Sequence, residues 1–289
     1  MALNYQKVMN WPFETIEQKV DKKAAILYAL GVGFGADPLD EDQLRFVYEG
    51  TDGDRLLAAP TMPAVIAYPG FWLKDPETGS DWRKILHGEQ GLEVYKPIPV
   101  GARVKARPQV DEIIDKGEKG ALIYLSRVIK DAETEEPYCR VTSVTFGRGD
   151  GGFGGPQKPT PKPQPIPDRT PEHVLDLPTR PDQALIYRLS GDFNPLHADP
   201  AVAKSAGFDQ PILHGLCTYG VAGHAILKTL CGYDPARLRR LDLRFSAPVF
   251  PGETIRTEMW DEGSGAVAFR SRVVERDVVV LNNGRAEIA

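Results

Sequence analysis

GLCTYGVAGHAILKTL, residues 215–230, decides the fold. Drawn as a helix, the segment carries apolar residues on nearly all sides, and small ones (Gly220, Ala222, Gly223, Ala225) permit close approach by neighbours. A helix apolar all round is buried. A sheet curled around one central helix satisfies this pattern.

Strand patterns flank it. Downstream, LDLRFSAPVFPGETIRTEMW (241–260) is followed by DEGSG and by AVAFRSRVVERD (266–277). Far upstream, GLEVYKPIPVGARVKARPQV (91–110) is followed by the turn region DKGEKG and by ALIYLSRVIKD (121–131). Both runs read apolar strand, proline, glycine, long strand, glycine-containing turn, strand. IYLSRVI and VAFRSRVV partly alternate, as half-buried antiparallel strands do. Each half therefore holds an antiparallel meander. Between them, residues 150–168 read DGGFGGPQKPTPKPQPIPD. That is linker composition, extended and semi-rigid, and unable to pair as a central strand. It divides the chain into 1–149 and 169–289. A helix is expected over KVDKKAAILYALGVG, 19–33, amphipathic and ending in glycines. Segment 60–90 shows no small-residue helix to match 215–230. The pattern predicts a duplicated α+β unit with one degenerate copy.

Composition narrows the class. The chain has 289 residues, 42% hydrophobic and 26% charged, as a soluble globular protein of about two domains does. A net charge of −5 argues against bulk nucleic-acid binding, so an anionic ligand needs a local basic patch. Cys139, Cys217 and Cys231 lie in unrelated contexts and form no CxxC pair, which predicts buried thiols in a reducing compartment. The N-terminus has no apolar core run, no stretch approaches the ~20 apolar residues of a membrane span, and GRAEIA is no SKL-type address. A cytoplasmic protein without a membrane partner is expected.

The chemistry concentrates in the second half. Residues 190–197 read SGDFNPLH. Gly191, Asn194 and Pro195 punctuate a turn, and on a turn leading into a helix Asp192 and His197 can point at one spot. On the residues alone, Asp192 or Asn194 can equally be an N-cap and His197 an ordinary, partly exposed histidine. A second feature stands beside it. PILHG, 211–215, meets the buried helix at Gly215. N–H groups at a helix start are unpaired and carry partial positive charge, and glycine lets a ligand reach them. Such a place binds a carbonyl oxygen that becomes an oxyanion. An acid, an imidazole and an oxyanion hole suffice to add water to a double bond conjugated to a carbonyl, with no metal. Of the other histidines, His214 beside the glycine is structural or functional, mid-helix His224 reads as a core residue, and His173 as surface.

YRLSGDFNPLH followed by AGFDQPILHGLCTYG resembles the hydratase 2 signature of the MaoC-like (R)-specific enoyl-CoA hydratases. YALGVGFGADP, FVYEG, HGEQGLEVYKP, GGFGG and FSAPVFPGETIRTEMW resemble the two-part hydratase unit of peroxisomal type 2 multifunctional enzymes, so the resemblance spans nearly the whole chain. It implies an α+β double hotdog fold, antiparallel sheets wrapped around a central helix, with the first repeat's helix reduced. It implies reversible hydration of a trans-2-enoyl-CoA to a (3R)-3-hydroxyacyl-CoA in fatty acid β-oxidation. CoA is then part of the substrate, and no separate cofactor or metal is expected. The SGDFNPLH match implies Asp192 and His197 as the acid/base pair, with Asn194 holding them or the water. The ILHGLC match implies Gly215 as the thioester-binding N–H. The HGEQ, DKG and RF matches imply His87, Gly88, Lys116 and Phe245 at the substrate, with Lys116 near the CoA. The larger enzyme's dehydrogenase and sterol-carrier segments have no counterpart here.

Other readings stay open: a 3-hydroxyacyl dehydratase on CoA or acyl carrier protein, a hotdog thioesterase, or a catalytically silent acyl-CoA-binding subunit. The halves should pair through their sheets as a pseudo-dimer, and a further homodimer is expected. The degenerate first-half helix leaves room for medium to long acyl chains.

Overall fold

The computed structural model describes residues 3–50 and 56–289. Its strands are β1 (Ile16–Lys19), β2 (Ile85–Val94), β3 (Arg103–Ala106), β4 (Gln109–Asp115), β5 (Ala121–Asp131), β6 (Pro137–Gly147), β7 (His173–Pro178), β8 (Leu238–Phe245), β9 (Thr254–Gly263), β10 (Ala266–Val273) and β11 (Val278–Ile288). Its helices are α1 (Tyr5–Met9), α2 (Lys22–Gly31), α3 (Glu41–Val47), α4 (Gln183–Tyr187), α5 (Pro200–Ser205) and α6 (Gly215–Cys231).

The two expected meanders are β4–β5–β6 and β9–β10–β11, and all their ladders are antiparallel. They join into one sheet of 11 strands, ordered β1-β3-β5-β6-β2-β8-β11-β10-β9-β7 with β4 on β5. The seam is β2 against β8, in register from Glu89↔Arg244 to Glu93↔Arg240. Arg244 meets Glu89 at 2.6 Å across that seam. The architecture is the α+β double hotdog expected, with the two repeats sharing one sheet.

The long central helix is α6. Cys217 to Leu227 are buried without interruption, and Gly232 closes the helix in the left-handed conformation (φ 56). Its small residues answer a specific need. A Cβ at Gly220 would stand 2.4 Å from Val32, and one at Gly223 2.3 Å from Thr61. Both neighbours belong to the first half, so α6 is the core of its own repeat and the docking surface for the other.

One departure from the sequence reading has a physical cause. The long strand expected after Gly101 is split into β3 and β4, because Pro108 donates no hydrogen bond to a ladder. Helix α2 forms where expected, capped by Asp21, which accepts from the Ala24 N–H at 2.8 Å. It packs against the second half: Tyr28 lies 6.0 Å from Tyr187, and Gln183 donates to the Gly31 carbonyl at 2.5 Å. Residues 150–168 form no strand or helix, yet they are not loose. Asp115, at the end of β4, accepts N–H groups of Gly117, Gly152 and Gly154 at 2.8, 2.8 and 3.0 Å. Further on, Asn283 of β11 holds the Gln164 carbonyl at 2.7 Å.

Where a second hotdog helix would run, segment 60–84 has only short 3₁₀ turns, Met62–Ala64 the first. The three cysteines are buried and unbridged. Among the described residues no helix is long and apolar enough to cross a membrane.

Candidate active site

Gly191 (φ 120) ends the 3₁₀ turn Arg188–Ser190 in a conformation other residues rarely adopt. The chain then reverses through Asp192–Phe193–Asn194. Asn194 is the cap of the next 3₁₀ turn, Pro195–His197. Its Oδ1 accepts from the Leu196 N–H at 3.2 Å, and its own N–H donates to Asp192 Oδ1 at 3.1 Å. The exposed Asn194 side chain thus holds the shape of the loop.

His197 turns inward, 8% exposed. Its Nδ1 lies 2.9 Å from the Ile212 carbonyl. A carbonyl only accepts, so Nδ1 carries the proton and Nε2 presents a lone pair. Burial lowers the His197 pKa, against the Ile212 hydrogen bond and the charge of Asp192, so the ring is neutral at ordinary pH.

His214 stacks on His197, ring centroids 3.8 Å apart. Its Nε2 donates to the Asp192 carbonyl at 3.2 Å, and its Nδ1 is buried without a partner among the described residues. Burial foremost, and then His197, pushes its pKa down to about 4. The neighbouring Tyr187 hydroxyl is likewise buried and unpartnered, its ring 5.0 Å from His214. His214 directly precedes α6, so Gly215 is the first residue of that helix, where N–H groups have no intrahelical acceptor.

The first half reaches the same place. A Cβ on Gly215 would sit 3.3 Å from the ring of Phe245, at the end of β8. Phe245 also meets His87 of β2, centroids 4.6 Å apart. His87 Nε2 donates to the Glu89 carbonyl at 3.1 Å. Burial takes its pKa down to about 4, with Asp192 close enough to oppose that shift. Gly88 lies in the bulge between His87 and Glu89 of the β2–β6 ladder, where a Cβ would meet the Val144 carbonyl oxygen at 3.2 Å.

The structure therefore gathers Asp192, His197, Gly215, Phe245 and His87. Lys116 lies in the turn between β4 and β5, its N–H on the Gly120 carbonyl at 2.8 Å, and is not brought into this cluster. No hydrogen bond or ion pair joins it to the dyad. Sequence reasoning left His214 undecided and did not single out Tyr187, although the segments YRLSGD and ILHG contain both. His224 is a satisfied core residue, its Nε2 3.2 Å from the Tyr233 hydroxyl and its ring stacked on Phe34. His173 is exposed on β7.

Asp192, His197 and His214 bring potential ligand atoms within 4.8 Å of one another. The two rings are stacked, 28° from parallel.

The two-repeat hotdog brings an acid, a tautomer-fixed imidazole and the first residue of the α6 helix into one place, and the relatives of the chain name the class. Residues 162–283 match the family model described as MaoC like domain, and residues 18–149 match MFE-2 hydratase 2 N-terminal domain. The chain is 39% identical over 296 residues to the probable enoyl-CoA hydratase 2 of Dictyostelium discoideum, covering 100% of this chain and 97% of that one. It is 40% identical to the peroxisomal enoyl-CoA hydratase 2 of Arabidopsis thaliana, covering 90% and 88%. The crystal structure of a MaoC-like dehydratase from Phytophthora capsici superposes with a TM-score of 0.85 at 37% identity, covering 99% of each chain. The chain belongs to the MaoC-like hydratase 2 family.

Proposed function

We propose that the protein reversibly adds water across the C2=C3 bond of a trans-2-enoyl-CoA, giving the (3R)-3-hydroxyacyl-CoA. The observation that carries this reading is the fixed tautomer of His197: Nδ1–H is tied to Ile212, which leaves the Nε2 lone pair as a base beside Asp192.

In the forward direction, His197 Nε2 takes a proton from a water that Asp192 helps to hold. The water oxygen bonds to C3, the C2=C3 electrons move toward the thioester, and negative charge grows on its oxygen. The Gly215 N–H meets that charge at the helix start. A proton from the Asp192–His197 pair is then delivered to C2, and the pair ends as it began. Water and proton arrive on one face, so addition is syn. Dehydration uses the same groups in reverse, the direction named for the Phytophthora relative.

His87, Gly88 and Phe245 form the substrate wall from the seam side, and Lys116 meets the CoA phosphates. Only short turns occupy segment 60–84, which supports medium to long acyl chains as substrates. A homodimer is kept as part of the proposal and is read by sedimentation. Cell fractionation decides between the expected cytoplasm and the peroxisome named for the Arabidopsis relative.

The test is loss of the enoyl-thioester absorbance with crotonyl-CoA and decenoyl-CoA, coupled to an (R)-specific dehydrogenase. Asp192→Asn and His197→Gln should each cut kcat at least about 100-fold with unfolding unchanged. Near-normal turnover in either variant removes the dyad. A folded wild-type protein that binds acyl-CoA but leaves the band intact would be a silent subunit.

A further inference from the structure

Among the described residues five buried side-chain polar atoms have no hydrogen-bond partner, and four of them belong to Tyr187, Arg188, Ser190 and His214, around the loop that carries Asp192. Buried polar groups in folded proteins are hydrogen-bonded, so a cluster of exceptions asks for a cause. Two of the four are complementary. Tyr187 is fully buried and His214 is 1% exposed, and their ring centroids lie 5.0 Å apart. His214 Nε2 carries the ring proton, because it donates to the Asp192 carbonyl at 3.2 Å, so Nδ1 is a bare acceptor. The Tyr187 hydroxyl is a donor without an acceptor. Each group supplies what the other lacks.

His214 is tied to both members of the acid/base pair. Its Nε2 holds the main chain of Asp192, and its ring stacks on His197 with centroids 3.8 Å apart. The Ile212 carbonyl that fixes the His197 tautomer lies two residues before it, and the Leu213 N–H between them donates to the Val249 carbonyl at 2.7 Å. Residues 212–214 therefore grip His197 by a backbone carbonyl and by a ring face, and are themselves anchored to the segment between β8 and β9. Tyr187 is braced in turn by α2 of the first half. A Cβ on Gly31 would stand 3.3 Å from the Tyr187 ring, and the Tyr28 ring lies 6.0 Å from it.

We propose that His214 is a positioning residue for the Asp192–His197 pair, and that the Tyr187 hydroxyl donates to His214 Nδ1, directly or through one water, to lock the tautomer this requires. The proposal rests on the hydratase reading above. His214 acts through the Asp192 carbonyl and the His197 ring, and not through substrate. While Nδ1 accepts from Tyr187, the ring proton stays on Nε2 and the hold on Asp192 is kept. In the other tautomer Nε2 would turn a lone pair toward the Asp192 carbonyl, two acceptors would meet, and the loop would shift. A displacement of about 1 Å at a reacting group costs about 100-fold in rate.

Tyr187→Phe is the discriminating variant, because it keeps the ring and removes only the hydroxyl. Taking away a buried hydroxyl that serves nothing should hold or raise the melting temperature and leave turnover alone. Taking away one that serves His214 should lower kcat on crotonyl-CoA about 5- to 10-fold, the worth of one hydrogen bond, with KM near wild type. His214→Ala should lower kcat about 100-fold. His214→Gln, whose amide can donate to the Asp192 carbonyl, should recover part of that loss. Wild-type kcat in Tyr187→Phe overturns the proposal. So does a His214→Gln protein no faster than His214→Ala, or a loss of kcat that only matches a loss of folded protein. Asp192→Asn is assayed alongside. If it turns over normally, the hydratase reading is what failed. If it is inactive while Tyr187→Phe and His214→Ala match wild type, only the positioning role is lost.

Discussion

Replacing Gly215 by alanine separates the two jobs of the α6 N-terminus, folding and charge stabilisation. The backbone there is not left-handed, so an L-residue fits its dihedrals. The new methyl would stand 3.3 and 3.4 Å from two carbons of the Phe245 ring, somewhat closer than ordinary carbon contacts. The ring must yield by a few tenths of an ångström, while His87 also packs on it, centroids 4.6 Å apart. The methyl also fills the approach that a thioester oxygen needs to reach the N–H. Loss of one oxyanion donor costs about 2.7–4 kcal/mol in the transition state, or about 100- to 1000-fold in kcat. Folding moves the other way, because alanine favours a helix over glycine by up to about 1 kcal/mol. The melting temperature should hold or rise by no more than about 4 °C. Initial rates on crotonyl-CoA and a thermal melt by circular dichroism read the two effects. A Gly215→Ala protein with kcat within about threefold of wild type refutes the oxyanion assignment. A large fall in melting temperature would show that Phe245 packing, not charge, was lost.

The remaining expectations follow from the same geometry. Burial lowers the His197 pKa, so the acid limb of kcat/KM should have its midpoint below about 6.5, and a limb above that value removes His197 as the base. His224 has a folded-state pKa of about 4, set chiefly by burial, against about 6.5 in the unfolded chain. The unfolded chain takes up this proton first, so the stability present above pH 6.5 is lost as pH falls toward 4. Urea unfolding of His224→Gln should therefore show a shallower decline over that window than wild type. Arg127→Met takes the guanidinium from three carbonyls, of which Pro63 keeps the Ile66 N–H at 3.2 Å, and should cost about 2 kcal/mol or more in urea unfolding. Dialysis against EDTA should leave turnover unchanged under the proposed mechanism, in which His197 moves a proton; lost activity restored by zinc would overturn it.

The buried helix, the paired hairpins and the Asp192–His197 loop were legible because each is a local pattern. Gly220 and Gly223 announced a close approach but could not name Val32 and Thr61 as the neighbours. That pairing depends on how residues more than 160 positions apart in the chain share one core. Pro108 was visible in the sequence, and its effect on the strand was not drawn from it. The glycines after Gly149 carry linker composition, but Asp115 needs their N–H groups, a demand that shows only once β4 has placed its carboxyl. His214 stood in the motif that drew attention to Gly215. Its place beside His197 became visible when the loop and the helix start came together.

The β2–β8 seam has a consequence for how the chain could be divided. Each half ends at a strand whose backbone partners lie in the other half, so neither has a finished edge alone. Cut between residues 156 and 168, the two pieces would remain mates with complementary open edges, and the peptide tether would matter chiefly by raising the concentration at which they meet. One chain of this kind is an obligate heterodimer whose dissociation has been made intramolecular. The Asp192–His197 loop stays on one partner and His87 on the other.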